Sequence, residues 1–387
     1  MNKQPMRVFA LCCMLTVSLC FVVGGLVLTT SDKDTTKRDF IEYWAAGQQL
    51  VHGANPYDVT AALQLERAVG LEGEHPRVSW SPPTVFVLLW PLGFVSAKTG
   101  SILWSIALLA SLSISIWVIW ILNGRPDSRL HLLGFMFAPV LACLMAGQIG
   151  IFLLLAVVLF LYFHRSKPFL AGAVLLPCAM KPHLFLPFAL VLLLWVMNKK
   201  AYRTFAGFFS TLLASCALVL CVDIHVFSQY FQMMHTEKAV HMYAPTLSSV
   251  LRYLIAPSAV WPQFLLEAVA CVWAVAFFRT RRNHWSWMDQ GLLLLLVSAA
   301  VTPYGFFNDE SVLLPAVLSG LYRARESGRS LLPLGLIAGA ALIEVLNFQL
   351  YSLFFLWTVP AWLAWYLYAT RSSGAQEEVG LPAAKVP

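Results

Sequence analysis

Apolar residues in this chain come in long runs rather than in alternating stripes. Val8 to Thr30 is the first run, entered after Lys3 and Arg7. About 20 consecutive apolar residues suffice to cross a bilayer as a helix. Further runs follow at roughly 100–122, 131–146, 149–163, 168–180, 183–197, 204–222, 258–278, 287–301, 311–322, 331–347 and 350–368. Read as helices, they predict an all-α polytopic membrane protein with about 12 transmembrane helices. Several runs hold only around 12–15 residues, too few to cross unaided, and are expected among other helices or beside a cavity that thins the membrane. The stretch 82–96, "PPTVFVLLWPLGFVS", would break the in–out parity and is read as a re-entrant or partial helix. The first run resembles a signal peptide in its basic start. Its apolar part exceeds the usual length, so an uncleaved first helix is expected.

Three polar segments interrupt the runs. Ser31 to Ser81 holds eight of the 19 acids, Asp32, Asp34, Asp39, Glu42, Asp58, Glu66, Glu72 and Glu74. The second, 223–257, carries His225, His235, Glu237, Lys238, His241 and Arg252, and the third is "TPYGFFNDE" at 302–310. Most of the Lys and Arg sit elsewhere, at the termini and in short connectors such as Arg125–Arg129, Lys199–Arg203 and Arg279–Arg282. Positive connectors stay cytoplasmic, which puts both termini in the cytoplasm and the three polar segments outside a cytoplasmic (inner) membrane. Residues 1–370 then form one transmembrane domain, with 31–81 as its first extracytoplasmic loop and 223–257 as its second outer loop. A polar cytoplasmic tail occupies 371–387.

With 59% hydrophobic and 12% charged residues, the lipid bilayer is the principal partner. The net charge of +7 lies in the connectors, so no nucleic-acid partner is expected. The eight cysteines lie in or beside apolar runs without the clustering of a disulfide framework or zinc site, and read as small packing residues. His225, His235 and His241 offer no i, i+4 pair, so no metal site is assigned.

Within the first loop, Phe40, Tyr43, Trp44, Gly47 and Leu50 fall at helical spacing, with Gly53 as a stop. This predicts an amphipathic helix on the membrane surface, a turn at "ANPYD", and a second surface helix from Asp58. Asp39 and Glu42 match a capping box. Asp39 could equally turn its carboxylate into a cavity and act as a general base, and local pattern leaves both open. Lys181 is the one lysine embedded between two apolar runs, where a charge is costly and marks function unless it snorkels to the surface. Gln148, an amide in apolar surroundings, needs a partner, and a helix–helix hydrogen bond is expected. Glu267 and Glu344 are expected to pair within the bundle.

"RDFIEYWAAGQQLVHGANPYD" at 38–58, followed by "SPPTVFVLLWPLGFVS" at 81–96, resembles the opening of glycosyltransferase family 87. "AGQIGIFLLL" at 146–155 is similar to that family's Gly-Gln-x-Asn segment, with Gly150 where Asn is usual. "AMKPHLFLPF" at 179–188 resembles its Lys-Pro helix, and "TPYGFFNDESVLLPA" at 302–316 its late Asp-containing block. The resemblance covers about residues 38–316. It implies a GT-C-type glycosyltransferase fold and a polyprenyl-phosphate sugar as donor, typically mannose. It also implies a catalytic acid in the first extracytoplasmic loop, at Asp39.

On that resemblance Asp39 is the general base, and attack opposite the phosphate inverts the sugar. Lys181, His183 and Arg252 are the candidates for the donor phosphate. Glu42, Tyr43, Tyr57, Tyr304 and Asp309 are the candidates for sugar and acceptor, although Asp309, like its neighbour Glu310, also reads as a helix cap. The acceptor is a glycolipid or glycan, no tightly bound cofactor is expected, and the need for a divalent metal stays open. A lipid-linked-sugar transporter or flippase is the first rival, but it should show repeated halves, which are not visible. A ligase or polymerase of lipid-linked glycans is the second, with its large functional loop expected later in the chain.

Overall fold

The computed structural model describes residues 39–70, 79–236, 244–347 and 353–371 of the protein, and every regular element among them is helical. The α-helices of six residues or more are α1 (Phe40–Val51), α2 (Val59–Ala68), α3 (Ala97–Leu122), α4 (Ala138–Ala146), α5 (Gly150–Phe163), α6 (Pro168–Ala173), α7 (Leu186–Lys199) and α8 (Tyr202–Val222). They continue with α9 (Val226–Thr236), α10 (Leu247–Ile255), α11 (Leu265–Arg281), α12 (Leu292–Val301), α13 (Leu314–Glu326), α14 (Leu332–Leu346) and α15 (Thr358–Thr370). The expected first span at 8–30, Asp32, Asp34, Glu72, Glu74, Glu237, Lys238, His241 and the tail from 372 lie outside the described residues.

Among the described residues, Ala97–Leu122, Tyr202–Val222, Trp261–His284 and Leu353–Thr370 are long and apolar enough to cross a membrane. A fifth crossing results if Arg129–Met136 and Ala138–Ala146, which meet at 47°, count as one. The protein is an integral membrane protein. The remaining apolar helices are short. α5 is buried along most of its length, with Ile151, Leu153, Leu154, Val157 and Val158 inaccessible, as its brevity requires of a helix that cannot rely on lipid at both ends. The stretch 82–96 is not one helix but three pieces, Pro83–Val85, Phe86–Leu89 and Trp90–Phe94. α1 lies across the last of them, where Gln48 Nε2 donates to the Gly93 carbonyl at 2.9 Å and Trp44 Nε1 to that of Val95 at 3.0 Å.

α3 starts where the Ser96 hydroxyl accepts from the Thr99 amide and carries 26 residues, about 39 Å at 1.5 Å per residue. α10 is amphipathic in the inverted sense. Its Ser248 hydroxyl donates inward to the Val301 carbonyl, while Leu247, Val250, Leu254 and Ile255 face outward, the arrangement of a helix lying against lipid. At the end of α13 remote from the third polar segment, Arg323 pairs with Asp289, and Tyr366 donates to the Asp289 carbonyl at 3.0 Å. The five cysteines among the described residues are free thiols. Only Cys143 is buried and Cys221 is exposed, so packing accounts for the first but not the last.

Candidate active site

Asp39 does not cap α1. Its backbone is already helical (φ −66°, ψ −17°) and its carboxylate makes no cap hydrogen bond, so the capping box expected with Glu42 is not formed. A cap residue needs extended backbone to aim its side chain back at the first N–H groups. Here the Asp39 amide instead donates to the Ala146 carbonyl at the end of α4, at 2.7 Å. Asp58 does cap its helix, accepting from the amides of Thr60 and Ala61 at 2.9 and 3.1 Å.

The turn between α4 and α5 brings Asp39 its partners. Gly147 takes a left-handed conformation (φ +72°), and a Cβ there would lie 2.9 Å from that of Phe40. Its carbonyl accepts from Trp104 Nε1 at 2.7 Å. The next residue, Gln148, is 8% exposed. Its Nε2 donates to Asp39 Oδ2 at 2.7 Å, and its Oε1 accepts from the Tyr43 hydroxyl at 2.8 Å and from Lys181 Nζ at 3.4 Å. The partners expected for Gln148 on a neighbouring span are therefore the candidate base and cation. Lys181 does not snorkel away. It forms an ion pair with Asp309 at 2.6 Å, and the other Asp309 oxygen accepts from the Phe306 amide at 3.0 Å. Asp39, Gln148, Lys181 and Asp309, drawn from four separate parts of the chain, thus form one hydrogen-bonded group.

Aromatic rings wall this group. Trp104 lies 5.5 Å from Tyr43 and 4.9 Å from Phe152, centroid to centroid. Burial, with the Glu42 and Asp39 carboxylates nearby, pushes the Tyr43 hydroxyl well above its ordinary value, so it remains a donor. His183 stacks on Tyr304 at 3.8 Å, and its Nε2 is buried without a hydrogen-bond partner among the described residues. Burial and then the Asp309 charge raise the Tyr304 hydroxyl in the same way. Behind Trp104 and Phe152 lies an apolar groove of about 530 Å³, lined by Leu92, Leu103, Ala107, Leu155, Val174 and Leu176 among others. The sequence did not single out Trp104, because a tryptophan within an apolar span reads as packing.

Two expected site residues stand apart. The Arg252 guanidinium donates to Gln263 Oε1 at 3.0 Å and to the Pro257 carbonyl at 3.2 Å. Because Gln263 in turn donates to the Pro303 carbonyl, Arg252 braces the turn that carries Tyr304. Tyr57 stacks on Phe86 at 5.2 Å and donates to the Ser81 carbonyl at 2.7 Å. Glu310 is buried between Thr358 and Trp362, which both donate to it. Of the two acids expected to pair within the bundle, Glu344 accepts from Trp357 Nε1 at 3.1 Å. Glu267 Oε1 has no hydrogen-bond partner among the described residues. No group of three or more His, Cys, Asp or Glu suited to a metal ion occurs among them.

The sequence profile of glycosyltransferase family 87 matches residues 81–303. The chain belongs to glycosyltransferase family 87. It is therefore a membrane glycosyltransferase, and Gln148 and Lys181 fall within the matched region, whereas Asp39 and Asp309 flank it. No curated protein and no solved structure matches this family 87 chain. Gly150, where the family usually has Asn, has a packing reason. A Cβ there would stand 2.6 Å from Ser311 Oγ and 2.8 Å from the Asn308 carbonyl. Asn308 and Ser311, both buried, occupy the space an Asn side chain at 150 would need.

Proposed function

We propose that this family 87 glycosyltransferase moves a sugar, mannose in the first instance, from a polyprenyl-phosphate donor to a hydroxyl of a glycolipid or glycan. The reaction is assigned to the extracytoplasmic face, within a GT-C-type fold of about 12 spans. The observation that carries this reading is the joining of a carboxylate and an ammonium through Gln148, beside an aromatic wall whose other side is an apolar groove. A polyprenyl-phosphate sugar has those three demands: a base for the acceptor, a cation for the departing phosphate, and a dry channel for the chain.

Asp39 takes the proton of the acceptor hydroxyl as its oxygen attacks the anomeric carbon. The carbon–oxygen bond to phosphate breaks on the opposite face, so the configuration inverts. The bonding pair leaves with the polyprenyl phosphate, whose added negative charge Lys181 meets. In a water-poor site a fixed cation at a developing anion is worth far more than in bulk solvent. Asp309 holds Lys181 in place before the donor arrives, and His183 offers a ring nitrogen close by. The Tyr304 ring, 38% exposed and backed by His183, is a surface for the sugar. The groove takes the first isoprene units. Arg252 acts on this site through Gln263 and the Pro303 turn.

The test is transfer from radiolabelled polyprenyl-phosphate mannose in membranes holding native protein or Asp39→Asn at matched expression. Removing a general base costs roughly 10²–10⁴-fold in rate. A mutant as fast as the native protein would move the base elsewhere. No transfer by native membranes would remove mannose as donor, and other lipid-linked sugars would be supplied next.

A further inference from the structure

Gln148 carries more than helix packing. A carboxamide accepts only at oxygen and donates only at nitrogen, and its surroundings leave one orientation. Oε1 faces two donors, Tyr43 and Lys181, while Nε2 faces the Asp39 carboxylate. Turned over, the amide would set N–H against an ammonium and oxygen against a carboxylate. The backbone is held too, since the Gln148 amide donates to the Cys143 carbonyl at 3.0 Å and the Cys143 thiol to the Gln148 carbonyl at 3.0 Å. Lys181 and Tyr43 therefore fix the amide, and the amide fixes Asp39.

The amide is also neutral. Lys181 has Asp309 as its carboxylate partner, and Gln148 stands between that lysine and Asp39.

We infer that Gln148 is a positioning residue for glycosyl transfer, orienting the Asp39 carboxylate through the hydrogen bond from its side-chain amide. This rests on the reading of Asp39 as base.

The experiment uses two variants and a double-mutant cycle. Gln148→Leu removes the N–H from which Asp39 accepts, and Gln148→Glu keeps the shape and the acceptor oxygen but also lacks that N–H. In transfer assays, read as activity per folded molecule, both variants should lose turnover by about tenfold or more, with the KM for donor changed far less. In an Asp39→Asn background Gln148→Leu should cost little further, because the carboxylate it orients is gone. A merely structural role would cost the same in both backgrounds. Native turnover in Gln148→Leu or in well-folded Gln148→Glu, or an undiminished loss in the Asp39→Asn background, overturns the role. Native turnover in Asp39→Asn alone overturns instead the reading of Asp39 as base.

Discussion

Replacing Lys181 by Met separates what the lysine does for stability from what it does for chemistry. Lys181 and Asp309 approach to 2.6 Å, with side chains 17% and 5% exposed. Deleting the lysine leaves Asp309 buried with the Phe306 amide as its remaining donor in that contact. Breaking a buried pair by removing one partner costs about 3–5 kcal/mol, because the remaining charge is stranded. The lysine retains some access to water, so the lower figure applies here. About 3 kcal/mol is a factor of roughly 150 in the unfolding equilibrium. In detergent, at one scan rate, the apparent melting temperature of Lys181→Met should fall by about 5 °C. Lys181→Met combined with Asp309→Asn replaces the ion pair by two neutral groups, which is often near neutral, and should recover more than half of the loss. Transfer should not recover, since no cation then meets the phosphate. A single variant melting within a degree of native, or a double variant less stable than Lys181→Met, would refute the stranded-charge reasoning. A stable double variant with native turnover would remove Lys181 from the chemistry.

Two further perturbations probe the geometry around that pair. Gly147→Ala puts a β-carbon into a left-handed turn and against Phe40; the conformation costs about 1–2 kcal/mol, and the displaced Asp39 should lower turnover well beyond what the loss of folded protein explains, as read by activity per folded molecule. Ala107→Trp fills the apolar groove, and should raise the KM for a long-chain donor by about tenfold or more, the worth of roughly 1.4 kcal/mol of lost contact, while leaving a short-chain donor analogue little affected.

Much of the scaffold was legible in the sequence because a bilayer imposes a coarse rule, runs of apolar residues of a set length, that needs no knowledge of tertiary contacts. Lys181 stood out for the complementary reason, as a charge in a place where charge is costly, and Asp39 through its helix-start spacing and the family resemblance. Their partners did not. Gln148 lies 109 residues from Asp39, and Asp309 lies 128 residues from Lys181, whereas a pattern reading reaches only three or four residues along a helix. That is why Asp39 with Glu42 looked like a capping box. The spacing was right, but the helical backbone at Asp39 and the amide across the bundle drew the carboxylate away. Gln148 carried a usable signal, a lone amide directly after a glycine that can break a helix, and the need to satisfy it pointed to a partner without saying which.

The breaks in the helices and the polar group are one structural fact. Around Asp39 the chain leaves regular helix at Gly147, at Lys181–Pro182 and at Pro303–Gly305. Each break frees backbone groups that an apolar environment cannot satisfy, at several kcal/mol apiece. The groups that answer them are those of the site and its neighbours. The Asp39 amide meets the Ala146 carbonyl, Trp104 that of Gly147, Thr302 that of His183, Gln263 that of Pro303, and Asp309 the Phe306 amide. A mutation chosen to spare the chemistry but relax one break should therefore still disturb catalysis, because side chains that bind backbone at the breaks also hold the carboxylate and the ammonium in register. An uninterrupted bundle of the same apolar composition would have no such polar demand, and nothing to fix Asp39 and Lys181 around one amide.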